Sequence, residues 1–150
     1  MQNEKAILWT LAAINFIHIV DFMILMPLGP QLMRIFDIGP GEFSLLVSSY
    51  TFSAGISSFF GAFFLDRFDR KKILIWVYIG FTVGTLGCAL SPSYGVLLGA
   101  RVVSGIFGGL TSALILAIIG DVITNERRGR AMGLVMAAFS FASVMGVPLG

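Results

Sequence analysis

Five long stretches nearly free of charge run along the chain, at 6–28, 43–65, 73–90, 95–120 and 131–150, with short polar segments between them. A helix needs about 20 apolar residues to cross the bilayer core at a rise of about 1.5 Å per residue, and each stretch meets or approaches that length. The third is short, but Trp76 and Tyr78 near its start suit an interfacial anchor. The stretches are apolar on every side, which excludes membrane β-strands, where apolar and polar positions alternate. The first is long for a signal peptide, carries His18 and Asp21, and lacks a small-residue cleavage site, so it is expected to be retained. The pattern predicts an all-α integral membrane protein with about five transmembrane helices.

Composition strengthens that reading and removes others. The 150 residues are 57% hydrophobic and 12% charged, where a soluble domain carries about a quarter charged residues. The net charge of +2 sits in a few loops rather than a continuous basic patch, so no nucleic-acid partner is expected. Cys88 is the single cysteine; it rules out a disulfide framework and a Cys-based zinc site, and its apolar surroundings predict a buried, inert thiol. No metal and no cofactor are expected. The chain shows no nucleophile or metal constellation of an enzyme and no ring of pore charges of a channel.

Charge placement predicts orientation. With the N-terminus inside, the inner segments 1–5, 66–72 and 121–130 hold Lys5, Arg67, Arg70, Lys71, Lys72, Arg127, Arg128 and Arg130, while the outer segments 29–42 and 91–94 hold only Arg34. Basic residues favour the cytoplasmic side, so the N-terminus is expected in the cytoplasm. The last stretch reaches the C-terminus at "GVPLG" without a flanking charge, which reads as a truncated fifth helix.

Two further patterns lie inside the spans. Ser49, Ser53, Ser57 and Gly61 recur every fourth residue, as do Gly105, Gly109, Ala113 and Ala117, with a shorter version at Gly80 and Gly84. Such faces let helix backbones approach closely in lipid and predict tight packing. Asn15, His18 and Asp21 form a polar stripe on the first helix, expected to face a bundle interior or a water-filled cavity, and Arg101 lies within the fourth span. Intramembrane ionisable groups are costly and mark candidate sites. Asp21 and Arg101 both fall roughly 10 Å below the outer surface, so they are expected to pair. Two readings stand: a structural pair in which each charge neutralises the other, or a protonatable Asp21 whose proton affinity depends on Arg101. Asp121, at the other end of the fourth span, is placed to meet Arg70 or Arg67, because a carboxylate at a helix C-terminus wants a cationic partner.

These features resemble the major facilitator superfamily over essentially the whole chain. That family carries a signature of the form G-x-L-a-D-R-x-G-R-K between helices 2 and 3. The stretch 62–71, AFFLDRFDRK, matches it at Asp66, Arg67, Arg70 and Lys71, with Ala62 and Asp69 in place of its glycines. "RVVSGIFGG" from Arg101 is similar to the family's helix-4 arginine motif, and "MGVPLG" to the helix-5 Gly-Pro motif of proton-coupled antiporters, here Gly146, Pro148 and Gly150. The nearest subgroup is the twelve-helix drug:proton antiporter type.

The resemblance implies a partial N-terminal transmembrane bundle, 1–150, whose C-terminal bundle is missing. Two such bundles bind a small-molecule substrate between them and rock about it. It implies proton-coupled efflux of a drug-like or sugar-like molecule across the plasma or inner membrane, with the lipid bilayer as surroundings. Asp21, Arg101, His18 and Asn15 become candidates for proton coupling and substrate. Asp66, Arg67, Arg70, Lys71 and Asp121 become a cytoplasmic gate, and Gly146 and Pro148 a kink that limits leakage. Asp69 adds a carboxylate expected to hold Arg67 or Lys72. The alternative is a truncated membrane fragment that transports nothing.

Overall fold

A computed structural model describes residues 2–149. Its elements are α1 (Gln2–Met23), α2 (Leu25–Phe36), α3 (Pro40–Phe64), a 3-10 turn (Leu65–Arg67), α4 (Arg70–Ala89), α5 (Tyr94–Val122) and α6 (Asn125–Leu149). Among the described residues, four segments are long and apolar enough to cross a membrane: Asn3–Phe36, Pro40–Arg67, Arg70–Ala89 and Tyr94–Val122.

The expected first helix, 6–28, and the loop expected after it need correction. The chain stays helical to Phe36 and breaks only at Ile24. Pro27 has no N–H to give the Met23 carbonyl, and its ring crowds that carbonyl, so the helix is interrupted just ahead of it. The Ile24 N–H still donates to the Val20 carbonyl at 2.9 Å. α2 then ends at Asp37, whose φ of 52° is left-handed. The Ile38 N–H returns to the Met33 carbonyl at 3.0 Å, which closes a Schellman-type cap. Asp tolerates this conformation better than most residues because its short polar side chain bonds locally.

The last helix also begins earlier than its apolar stretch. α6 starts at Asn125, so Arg127, Arg128 and Arg130 are helical rather than loop residues. The Thr124 carbonyl accepts from the N–H groups of Arg127 at 2.9 Å and Arg128 at 3.1 Å, and Glu126 in the first turn favours the positive end of the helix dipole.

Two compact units make up the chain, one of Met1–Leu28 with Ile115–Gly150 and one of Gly29–Leu114. In the first, α1 packs along α6. Leu11, Ala12, Ile19, Ala131, Val135 and Ala142 are buried there, and the rings of Phe16 and Phe141 lie 6.4 Å apart. In the second, Leu65, Val77 and Leu114 form a core closed by Ile73, Leu74, Phe107 and Leu110. The outer faces of α3 and α4 expose Phe52, Phe59, Phe63, Trp76 and Val83, as suits helices whose solvent is lipid.

Candidate functional site

The second unit holds the candidate with the most developed surroundings. Arg101, on α5, is 2% exposed, and its guanidinium carbon lies 4.4 Å from the ring centroid of Tyr50 on α3. Tyr50 is itself 4% exposed. A cation over an aromatic face is attracted by the ring quadrupole, most strongly where water is excluded. The ring therefore offsets part of the cost of holding a charge within a span.

Glycine makes this approach possible. A Cβ at Gly105, one turn beyond Arg101, would lie 2.5 Å from the Tyr50 carbonyl oxygen, and one at Gly109 would strike the Ala54 carbonyl. The Ser53 hydroxyl donates to the Tyr50 carbonyl at 3.0 Å, and Ser57 to that of Ala54 at 3.1 Å. The serines of α3 thus satisfy themselves within their own helix while the glycines of α5 settle against them. A shallow cavity of about 440 Å³ opens beside this seam, between Ser49, Phe52 and Ile56 of α3 and Val102 and Ile106 of α5. On α4, Gly84 leaves room for Ser104, whose hydroxyl lies 3.8 Å from the Cys88 sulfur. Cys88 is half-buried, not fully buried as its apolar segment suggested. That segment counts apolar neighbours in sequence, whereas packing covers only one side of the helix.

The charged segment between α3 and α4 starts from Leu65, which is 3% exposed and anchors the 3-10 turn. Arg70 donates to Asp66 at 2.5 Å, an i,i+4 ion pair with the Asp66 side chain 70% exposed. Arg67, Lys71 and Lys72 point to the exposed surface. Asp69 takes a different place from the one expected. It is the N-cap of α4, and its carboxylate accepts from the Lys71 backbone N–H at 3.0 Å rather than holding Arg67 or Lys72. An Asp one turn ahead of an apolar helical run is a standard capping signal that was legible in the sequence.

In the first unit the polar stripe of α1 begins against α6. Asn15, 9% exposed, donates through Nδ2 to the Val135 carbonyl at 3.1 Å. His18 and Asp21 are half-buried further along, Asp21 two residues before α1 ends. Asp121 is exposed in the last turn of α5. The helix end beside it is served by Arg128, which donates through Nε to the Ile123 carbonyl at 3.2 Å and through Nη2 to the Gly120 carbonyl. The sequence reading missed this role; an arginine just after a short interhelical turn was the available signal. Gly146 and Pro148 lie in the last turns of α6, which runs as one helix to Leu149. Gly150 lies outside the described residues. The structure brings Asp66 to Arg70 and Asn15 to α6, and it describes Asp21 and Asp121 in the first unit and Arg101 in the second.

Comparisons with known proteins agree with this architecture. The family model described as Major Facilitator Superfamily matches residues 11–150. The uncharacterized MFS-type transporter YcnB of Bacillus subtilis is 31% identical over 147 residues, covering 98% of this chain and 31% of that protein. Multidrug resistance protein 2 of Bacillus subtilis is 26% identical over 150 residues, covering 100% of this chain and 38% of that protein. The chain thus spans about a third of the length of these relatives. Among solved structures, a bacterial homolog of the human lysosomal transporter Spinster, in an inward-facing and occupied conformation, superposes with a TM-score of 0.88 at 21% identity, over 95% of this chain and 31% of that one. With the apolar helices and the Asp66 and Arg101 motifs, the family match leads to one conclusion: this multi-pass membrane chain belongs to the major facilitator superfamily.

Proposed function

We propose that the chain is the N-terminal bundle of a secondary transporter that exports a small drug-like or sugar-like molecule in exchange for protons, by alternating access. The observation that carries this reading is Arg101, a cation 2% exposed within a span and seated under the Tyr50 ring. A charge so placed is expensive to keep and marks a substrate or proton path. Asp21 is the protonatable group of the proposal, with His18 and Asn15 on the same stripe. Protonation of Asp21 would neutralise a charge that is costly within a span, so proton binding changes which surroundings the first helix favours. The Asp66–Arg70 pair, with Arg67 and Lys71, serves as the cytoplasmic gate. Gly146 and Pro148 shape the end of the fifth span against leakage. The concentration of basic residues at 1–5, 66–72 and 121–130 supports a cytoplasmic N-terminus in the plasma or inner membrane. Similarity to a multidrug resistance protein supports export of drug-like molecules.

The test is ethidium efflux in proteoliposomes under an imposed pH gradient, run on the complete transporter carrying this bundle and on the 150-residue chain alone. Flux from the complete transporter should collapse with a protonophore and on Arg101→Ala or Asp21→Asn. Flux indifferent to the gradient would sink proton coupling. The chain alone should give no flux, because it lacks the opposing bundle.

A further inference from the structure

A second cavity, of about 750 Å³, lies wholly within the first unit, between the N-terminal turns of α1 and α6. Both helices begin at the same end of this groove, and both change character with depth. At the mouth stand Lys5 and Glu4 of α1 with Arg127 and Arg130 of α6. About one turn further along each helix the lining becomes apolar, with Leu8 and Trp9 on α1 and Leu134 on α6. Glu4 approaches Arg127 at 3.8 Å and balances one of the three cations, so the mouth stays net positive. Lys5, Arg127 and Arg130 are exposed, as is Trp9 at 66%.

We propose that this groove binds an anionic phospholipid, its phosphate between Lys5 and Arg130 and an acyl chain along Leu8, Trp9 and Leu134. Three features favour lipid over a soluble anion. The basic mouth lies at the ends of membrane helices, where headgroups sit, and basic pockets between such helices suit anionic headgroups. The apolar wall starts at the depth where a phospholipid passes from headgroup to hydrocarbon, and a soluble phosphate would leave that wall unused. Trp9 sits at the boundary, the level that tryptophan prefers in membrane proteins.

Trp9 supplies the readout. In the full chain carrying Trp76→Phe, reconstituted in phosphatidylcholine vesicles, Trp9 is the remaining tryptophan. Trace phosphatidylglycerol with brominated acyl chains should quench it with an apparent affinity about thirtyfold above that of brominated phosphatidylcholine, the scale expected of two basic residues near an anionic headgroup. Lys5→Gln combined with Arg130→Gln should bring the ratio close to one, whereas Arg34→Gln combined with Lys72→Gln should preserve it. Equal quenching by the two lipids overturns the proposal. So does equal loss in both double variants, which would mean general surface attraction. Displacement by millimolar glycerol phosphate would assign the mouth to soluble anions and overturn the lipid. Native mass spectrometry of the unsubstituted chain, with phosphatidylglycerol retained over phosphatidylcholine, checks the same preference without any substitution.

Discussion

The α3–α5 pair and the α1–α6 pair are held together by opposite means. α3 and α5 meet through absent side chains: Gly105 and Gly109 rest on the backbone carbonyls of Tyr50 and Ala54. α1 and α6 meet through present ones, with Phe16 near Phe141 and Asn15 bonded to the Val135 carbonyl. In lipid the hydrophobic effect gives helices little reason to associate, so contact must come from close packing or from interhelical hydrogen bonds. Each pair relies mainly on one of the two. The glycine seam should tolerate no added atom, and the polar seam should lose only what its single bond contributes. The buried cation belongs to the glycine seam, because only backbones that close bring a ring over a guanidinium set one helix away.

The sharpest way to break this contrast is Gly109→Ala. Its Cβ would strike the Ala54 backbone, which cannot swing aside, and overpacking of this kind costs about 2 kcal/mol. Gly99→Ala on the same helix meets nothing within 4 Å and should be neutral or stabilising by up to about 1 kcal/mol through helix propensity. Thermal unfolding in detergent, followed by circular dichroism, separates the two; similar shifts would remove the glycine seam as an explanation. Next comes Tyr50→Leu, expected to cost about 1–2 kcal/mol, because the attraction resides in the ring face. A fluorinated phenylalanine series at position 50 keeps the shape and drains the quadrupole, so stability should fall stepwise with fluorine number.

Asp69→Ala provides a yardstick outside both seams. Loss of an N-cap costs about 1 kcal/mol, and the basic first turn of α4 (Arg70, Lys71 and Lys72) opposes the helix dipole and makes the cap more needed. Asn15→Leu should cost about 0.6 kcal/mol, the usual worth of one hydrogen bond between membrane helices; a loss rivalling that of Gly109→Ala would erase the difference between the seams. Smallest in stability is Asp66→Asn, a few tenths of a kcal/mol for an exposed i,i+4 pair of about 0.3–0.5 kcal/mol. Flux should rank the two aspartates the other way, with charge reversal at Asp66 impairing transport far more than Asp69→Asn. Equal loss in a proteoliposome assay would sink the gate assignment.

Apolar length and the absence of alternation were enough to determine the helices and their membrane setting, because the cost of placing each side chain in lipid is a local property. Spacing alone also revealed the glycine and serine faces and marked Asn15 and Arg101 as polar groups needing shelter. The Asp69 cap and the break before Pro27 were written in local rules as well, although the continuation of helix to Phe36 was not, since a proline ends one hydrogen-bonded turn without forbidding the next. What Arg101 lies against was decided only in three dimensions. Tyr50 is far from it in the chain, and no periodicity singles that tyrosine out from other aromatic residues of α3. The pairing follows from how closely two glycine-lined backbones approach and at what level they cross, and those are properties of the packed helices together.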